Sequence, residues 1–279
     1  MIRIVLRGRT GNNMFQYALG RALARKHGVP LVLDASWFNR EGWSEVSHFL
    51  KQPLQAKVVR RFSVPKRALR KLNGRHIWEY CGFPVLKEPV EDQSFDPRIA
   101  DAPSNCMLSG FFQTPLYFGS IAGELRDELL GLVGRGGKVD MGSAPARGIA
   151  TRGTVAVHVR RGDYLHHPAF AVCDRDYYRA SMGSMRERVP DARFFVFSDD
   201  PAWCRGEFRD ADTEIVDIGS GNPLHDMHLM SLASHHIIAN SSYSWWAAWL
   251  GEKPGQEVIM PERWFSRDIV APISEKKWK

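Results

Sequence analysis

The segment HVRRGDY, residues 158–164, combines a histidine, two adjacent arginines and an acid directly after the apolar stretch TVAV. Arginines beyond the end of a buried strand are costly to bury without an anionic partner, and their planar guanidinium groups match phosphate oxygens. In an extended chain His158 and Arg160 lie on one side and Arg161 on the other. We therefore predict an anion-binding site at this segment. Asp163 is either the partner that orients Arg160 or half of an ordinary surface ion pair.

A second loop, FSDDPAW at residues 197–203, places an acid pair after another apolar strand. Asp200 precedes Pro201 and suits the N-cap of the following helix. Because the cap explains Asp200, Asp199 is the better candidate for accepting hydrogen bonds from ribose hydroxyls or from a purine N–H edge.

A third loop, NSS at residues 240–242, follows the predicted strand HHIIA and begins the helix SYSWWAAWL. Ser241 and Ser242 would offer hydroxyl and N–H groups at the positive end of that helix, which suits a phosphate; a plain serine cap fits the same pattern. The tryptophans of this helix are expected to pack in the core. Together the three loops predict groups at successive strand ends that fit a nucleoside diphosphate.

The amino-terminal loop GRTGNNMFQ, residues 8–16, is neither a Walker A loop nor a GxGxxG fingerprint. Gly11, Asn12 and Asn13 permit positive φ and a close backbone approach, and their N–H groups would lie at the start of a helix that runs from Met14. Taken alone, the loop is explained by a turn with an asparagine cap.

The spacing of apolar residues predicts alternating strands and helices. Strand, turn, helix and strand follow one another within residues 2–34, which is a βαβ unit and predicts a parallel sheet covered by helices. The alternation is clear again after a glycine-rich segment, residues 134–153, which is the best candidate for a linker. We therefore predict an α/β fold with two domains, residues 1–150 and 151–279. Residues 36–104 show few clean periods.

The composition narrows the class of protein. A net charge of +7 and a pI near 9.3 suit nucleic acid, an anionic membrane surface or a phosphorylated small molecule as partner. No nucleic-acid-binding signature accompanies the charge, so we expect no nucleic-acid partner. The first residues do not resemble a signal peptide, and no apolar stretch is long enough to span a membrane, so we expect a cytoplasmic protein. The RGD tripeptide is therefore not expected to serve adhesion.

Metal and covalent chemistry have no support in the sequence. The four cysteines lie far apart, without a CxxC pair, and are expected to be reduced thiols: Cys81, Cys106, Cys173 and Cys204. The histidines form no HExxH motif and no ligand spacing with a carboxylate, so no metal site is expected. No nucleophile elbow or Cys–His signature is present.

These motifs resemble those of the bacterial α-1,2-fucosyltransferases, within the larger group of GDP-fucose-dependent enzymes that includes the α-1,6 and protein O-fucosyltransferases. The resemblance lies in four motifs, which follow one another along the chain in the expected order: GNNMFQYALGRALA, HVRRGDY, FSDDPAW and DMHLMSLASHHIIANSSYSWWAAWL. It implies a GT-B type fold with two facing Rossmann-like domains, the first on the acceptor side and the second binding GDP-fucose. It also implies an inverting transfer from GDP-β-L-fucose that needs neither metal nor cofactor.

The resemblance implies roles for individual residues. Arg160 corresponds to the arginine that holds the β-phosphate, and His158 to the motif histidine that contacts the nucleotide. With Asp163 these are the catalytic candidates. The remaining correspondences are Asp199 or Asp200 near guanine, Ser241 and Ser242 in the phosphate-binding turn, and Gly11, Asn12 and Asn13 in a loop that closes over the donor.

The catalytic base is left open by the sequence. The α-1,6 relatives carry a glutamate ten residues after the motif histidine, where this chain has Pro168. Asp163, His166, His167 and Asp34 are the candidates, and a loose, oxocarbenium-like transition state would need little base assistance.

We therefore expect a galactoside α-1,2-fucosyltransferase that acts on a surface glycan such as lipopolysaccharide or exopolysaccharide. The alternatives are an α-1,6 or α-1,3 fucosyltransferase and a nucleotide-binding module without catalysis. The expected partners are GDP-fucose and a galactose-terminated glycan acceptor. The basic charge would also suit peripheral contact with an anionic inner membrane.

Overall fold

A computed structural model describes residues 1–36, 38, 47–59, 83–89, 93–217, 219–266, 273 and 278. These residues form two compact units that divide between Leu125 and Arg126, and Ile273 belongs to the first. Each unit is built around one parallel sheet, so the predicted α/β class with two Rossmann-like parts is confirmed. The prediction for Cys81 lies outside the described residues.

Five short strands form the sheet of the first unit: β1 (Ile2–Val5), β2 (Leu31–Asp34), β3 (Lys57–Val59), β4 (Val85–Lys87) and β5 (Cys106–Ser109). Their order is β3-β2-β1-β5-β4, and all neighbours are parallel. The described helices of this unit are α1 (Thr10–His27), α2 (Ser47–Leu50) and α3 (Pro97–Ala100). The three strands β1, β2 and β5 are buried along their whole length, as parallel strands between helices must be.

The second unit repeats this plan with the strands β6 (Thr154–Val159), β7 (Arg193–Ser198), β8 (Thr213–Ile215), β9 (His235–Ile237) and β10 (Val258–Ile259). Their order is β10-β9-β6-β7-β8, again parallel throughout. The chain thus runs outward from β6 to β8 and returns to the other side of β6 at β9. Two helices precede β6: α4 (Ala122–Gly137) and α5 (Ala144–Ile149). Four helices join the strands of this unit in turn: α6 (Arg175–Arg188), α7 (Pro201–Glu207), α8 (Pro223–Leu232) and α9 (Ser242–Leu250).

The central strand β6 separates two environments. Val155, Val157 and Val159 belong to a buried apolar cluster with Tyr178 of α6. Because side chains alternate along a strand, His158 lies on the opposite side of the sheet. One face of the strand therefore packs its valines in the apolar core, and the other face carries the polar side chain of His158.

Several expectations about packing are confirmed. Trp245 and Trp246 of α9 are completely buried. Cys106, Cys173 and Cys204 are free thiols. No helix in the described part of the chain is long and apolar enough to cross a membrane.

Two local expectations are wrong. Helix α1 begins at Thr10 rather than near Met14, since Arg9 takes the extended N-cap conformation and the two asparagines enter the first turn. The glycine-rich segment 134–153 is not a linker, because it contains the end of α4 and the whole of α5, which Ser143 caps. The two units divide inside α4, whereas the sequence places the division after residue 150.

Candidate functional site

The candidate site lies at the carboxyl edge of the second sheet, where the segments after β6 and β9 leave neighbouring strands in opposite directions. The two strands pair in parallel, from Val155 beside His235 to Val157 beside Ile237. In open α/β sheets ligands bind at such switch points, beyond the carboxyl ends of the strands. The three loops singled out in the second half of the sequence follow β6, β7 and β9 and therefore end at this edge.

Arg160 follows β6 and contacts two carboxylates. Its Nη2 lies 2.6 Å from Oδ1 of Asp163, and its Nη1 lies 2.8 Å from Oδ2 of Asp199. The Arg160 side chain is 18% exposed, so the guanidinium group is mostly withdrawn from water. Charge-assisted contacts of this length fix the orientation of the guanidinium plane. Asp163 thus occupies the place of the partner that orients Arg160.

Asp199 organises the turn that follows β6. Its Oδ1 accepts from the backbone N–H of Arg161 at 2.9 Å and from that of Gly162 at 3.2 Å. A Cβ on Gly162 would lie only 2.6 Å from Oδ2 of Asp199, so any larger residue here would displace the carboxylate from this position. The carboxylate thereby serves three donors at once, including Arg160.

Arg161 points to different partners from Arg160. Its Nε lies 3.1 Å from Oδ2 of Asp200, and its guanidinium carbon lies 4.0 Å from the ring centre of Trp203. Asp200 is also the N-cap of α7, accepting from the N–H of Trp203 at 3.1 Å, as the sequence predicts. That N–H and, after it, Arg161 lower the pKa of the Asp200 carboxyl. The Asp200 carboxylate is therefore already occupied by the ion pair with Arg161 and by the N-cap hydrogen bond of α7.

His158 sits on the polar face of β6 against Tyr243 of α9, with the ring centres 5.3 Å apart. Only 6% of the residue is exposed, and its Nδ1 has no hydrogen-bond partner among the described residues. Burial, and secondarily the charge of Arg160, lowers the pKa of His158 to about 3. The imidazole is therefore neutral near pH 7.

The amino terminus of α9 has no side-chain cap. Ser241 takes the extended N-cap conformation, but its hydroxyl accepts no hydrogen bond from the helix N–H groups. Ser242 is the first residue of the helix. Tyr164, from the turn after β6, donates to the carbonyl of Asn240 at 3.1 Å and so connects this helix start to the arginine loop. The plain serine cap by Ser241 is thus absent.

Asp226 of α8 is a site residue that the sequence analysis missed. Burial raises the pKa of its carboxyl, and its buried Oδ1 makes no hydrogen bond among the described residues, with Nδ1 of His225 3.5 Å away. Burial, and after it the charge of Asp226, raises the pKa of the Tyr243 phenol. Asp226 is the first residue of the long motif quoted in the sequence analysis, but only the fold brings it near Tyr243.

Gly11, Asn12 and Asn13 lie in the first unit, in the first turn of α1, and not in a loop. The Oδ1 of Asn12 accepts from Gln113 at 2.7 Å. The Nδ2 of Asn13 donates to the carbonyl of Arg7 at 3.0 Å. These hydrogen bonds connect the start of α1 to Arg7, just before the helix, and to Gln113, which follows β5. They explain why the two asparagines are helical there.

The candidates for a catalytic base are dispersed. Asp34 ends β2 in the first unit, is 1% exposed and pairs with Arg3 at 3.3 Å. His166 and His167 are exposed in the turn after β6. Asp163 is the one candidate that contacts Arg160.

Metal-binding groups are not clustered in the described part of the chain: no three histidine, cysteine, aspartate or glutamate side chains there could hold an ion together. The polar site is instead built from guanidinium groups, carboxylates and a helix terminus.

Known proteins with similar sequences include the following three. An alpha-1,2-colitosyltransferase of Escherichia coli is 29% identical over 275 residues, which cover 94% of this chain and 92% of that protein. The O-antigen biosynthesis glycosyltransferase WbnK of Escherichia coli is 26% identical over 306 residues and 98% of both chains. The galactoside 2-alpha-L-fucosyltransferase SEC1 of Bos taurus is 34% identical over 116 residues, 37% of this chain and 32% of that protein.

Solved structures resemble this one more distantly. The ADP-heptose lps heptosyltransferase II of E. coli gives a TM-score of 0.47 at 11% identity, covering 100% of this chain and 89% of the other. The fucosyltransferase NodZ from Bradyrhizobium gives a TM-score of 0.41 at 14% identity, covering 88% and 90%.

The family assignment rests on the sequence. The pattern described as glycosyl transferase family 11 matches residues 90–278, which is more than half of the chain and includes every motif of the second unit. The resemblance that the motifs suggest is thereby confirmed, and the chain belongs to glycosyl transferase family 11.

Proposed function

We propose that this glycosyltransferase moves L-fucose from GDP-β-L-fucose to a hydroxyl of a terminal galactose, forming an α-1,2 linkage with inversion at the fucosyl carbon. The proposed acceptor is a bacterial surface glycan such as lipopolysaccharide or exopolysaccharide. The observation that carries the proposal is that a guanidinium group held between two carboxylates lies at the same sheet edge as the start of α9. That combination suits a diphosphate leaving group.

The chemistry follows from where charge develops. Departure of GDP leaves negative charge on the β-phosphate and positive charge on the fucosyl carbon. Arg160 and the N–H groups at Ser242 would stabilise the first charge, because donors fixed in advance need no reorganisation as the bond breaks. In this proposal no metal ion and no cofactor take part.

The nucleotide base is proposed to lie on the other side of the same edge. Oδ1 of Asp226 makes no hydrogen bond among the described residues and has His225 only at 3.5 Å, whereas Asp199 already accepts from three donors. Asp226 is therefore the better acceptor for the N–H edge of guanine. The neutral ring of His158 and the neighbouring Tyr243 would line the base. Asp199 then acts by positioning Arg160 and not by contacting guanine.

Asp163 is proposed to orient Arg160 during the reaction. Its contact with Nη2 of Arg160, at 2.6 Å, holds the carboxylate beside the guanidinium group. A loose, oxocarbenium-like transition state needs little help from a base: the acceptor oxygen bonds to the fucosyl carbon as the bond to GDP breaks, and the hydroxyl proton is released to water. The proposal therefore requires no further carboxylate.

The relatives support the linkage and the acceptor class. The colitosyltransferase and SEC1 are both named for transfer to position 2, and WbnK is named for O-antigen biosynthesis. The colitosyltransferase covers nearly the whole chain, which makes colitose a second candidate for the sugar transferred.

The direct test is transfer in the presence of EDTA. The protein is incubated with GDP-fucose and a panel of galactosides, and the product linkage is determined by NMR. We expect an α-1,2-fucosylated galactoside with one GDP released per product, and GDP-colitose in a parallel reaction distinguishes the second sugar. An α-1,6 or α-1,3 product would refute the linkage, and GDP binding without any transfer would indicate a nucleotide-binding module.

Peripheral membrane contact is a further part of the proposal. The net charge of +7 would draw the chain to an anionic leaflet, where lipid-linked acceptors lie. We expect the protein to float with vesicles that contain phosphatidylglycerol and to be released by high salt. Equal recovery with neutral vesicles would contradict an electrostatic attachment.

A further inference from the structure

A cavity of about 430 Å³ lies beside Arg160 in the second unit. Its size is within the range of small-molecule sites. The turn after β6 forms one wall of the cavity. The start of α6 forms a second wall, and α7 forms a third. The lining residues that matter here are Arg160, Tyr164, Phe170, Asp174, Trp203 and Glu207.

Arg160 is the one group of the proposed nucleotide site that also lines this cavity among the described residues. His158, Ser242, Tyr243 and Asp226 are all absent from its described lining. The helices α6 and α7 pack on the side of β6 to which its valines point, whereas His158 points to α9. Arg160 is thus shared by two compartments, one on each side of the sheet edge.

The walls of the cavity combine aromatic rings with carboxylates. The rings of Tyr164 and Phe170 are stacked, with centres 4.8 Å apart. The carboxylate of Glu207 lies 3.7 Å from Arg175 and 3.6 Å from Arg179, which is too far for strong hydrogen bonds. Its oxygens therefore keep lone pairs for another donor.

The charges indicate which ligand would fit. The lining carries three arginines and two carboxylates, but Arg160 is already paired with Asp163 and Asp199, and Arg161 with Asp200. Asp174 accepts from the N–H of Tyr177 through Oδ1 at 2.8 Å. A sugar ring is neutral, donates hydroxyl hydrogens to carboxylates and presents C–H groups to aromatic rings. The lining suits such a ring better than it suits a second phosphate.

We propose that this cavity binds a sugar ring of the acceptor glycan, with Glu207 accepting a hydroxyl hydrogen. The inference rests on the proposed function, because it places the acceptor against the arginine that holds the diphosphate. It also assigns part of the acceptor site to the second unit, whereas the sequence analysis places the acceptor side in the first domain. Glu207 is a specificity residue in this scheme.

Two variants test the cavity. Glu207→Ala removes the acceptor oxygen, and Ala171→Leu places a larger side chain in the lining. Glu187→Ala, exposed on α6, is the matched control. Glu207→Ala should raise the KM for methyl β-galactoside about tenfold, as expected for losing one charge-assisted hydrogen bond. Ala171→Leu should raise the same KM by filling the space for the ring, and in both variants the GDP affinity measured by calorimetry should stay within about twofold of the wild type.

Binding without turnover separates this inference from the proposed function. Saturation-transfer NMR with methyl β-galactoside and GDP should show contact with the wild-type protein and the control, and a lost signal in both cavity variants. Wild-type-like galactoside signals in both variants, or no signal with the wild type, would overturn the inference. Loss of GDP affinity in the variants would also overturn it, since the nucleotide would then occupy the cavity. The proposed function fails separately, when GDP-fucose yields no product.

Discussion

Replacing Asp199 with asparagine tests whether Arg160 supports transfer only when a carboxylate fixes its orientation. The carboxylate divides its contacts: Oδ1 accepts from the N–H groups of Arg161 and Gly162, and Oδ2 pairs with Arg160 at 2.8 Å. Asparagine keeps an oxygen for the two N–H groups. It replaces the other oxygen with an NH2 group, which cannot accept from the guanidinium group.

The structure separates the expected effects on stability and on activity. The side chains of the pair are 18% and 26% exposed, so losing their attraction should lower the free energy of unfolding by no more than about 1 kcal/mol. A displacement of about 1 Å in a group that positions the substrate can lower the rate about 100-fold. Asp199→Asn should therefore fold almost normally and lose between tenfold and about 100-fold in kcat/KM for GDP-fucose. Asp199→Ala should in addition lose about 1 kcal/mol of stability, because it also leaves two partly exposed N–H groups without their acceptor.

The assay is steady-state transfer at saturating acceptor, with chemical denaturation of each variant in parallel. Asp210→Asn, which alters an exposed pair with Arg186, serves as the control. Wild-type kcat/KM in Asp199→Asn would refute the positioning role. A loss of activity that tracks a loss of folded protein would refute it equally.

Two other predictions follow from the same region and from the core. Gly162→Ala should reduce transfer by pushing its Cβ against Asp199, whereas Gly183→Ala in α6, where nothing lies within 4 Å, should stabilise the protein by about 0.5–1 kcal/mol in denaturation experiments. Burial lowers the pKa of His158 and of His236 to about 3, so both are neutral when folded and bind protons on unfolding below pH 6.5. Their contribution to the free energy of unfolding is fully present above that pH and should be lost on acidification, by up to about 1.4 kcal/mol per pH unit for each histidine. Chemical denaturation at pH 7 and at pH 5 would show this loss, and equal stability at the two pH values would contradict it.

The elements of the second unit are predictable from the sequence because the signals agree. The segment TVAVHV is uniformly apolar up to His158 and becomes β6, and the spacing of Tyr178, Met182 and Met185 becomes the buried face of α6. Asp200 before Pro201 is a cap in the sequence and in the structure. At each of these positions local propensity and burial favour the same conformation.

The remainder depends on contacts that the sequence does not display. Asn12 and Asn13 disfavour a helix interior, but their side chains find partners at Gln113 and Arg7, and so α1 starts earlier than its composition indicates. Asp226 becomes a candidate only because the fold leaves one buried oxygen without a hydrogen bond, at 3.5 Å from His225 and near Tyr243. The cavity next to Arg160 likewise arises from the packing of three separate segments.

The most direct measurement is a calorimetric titration of GDP in the presence of EDTA, with the wild-type protein and Arg160→Ala. The account predicts that the wild type binds GDP without metal and that Arg160→Ala binds at least about 100-fold more weakly, since a buried charged hydrogen bond to phosphate is worth about 3 kcal/mol. Arg152→Ala, an exposed arginine just before β6, should bind GDP as the wild type does. Binding that requires added Mg²⁺, or equal affinity in Arg160→Ala, would contradict the metal-free diphosphate site on which the account depends.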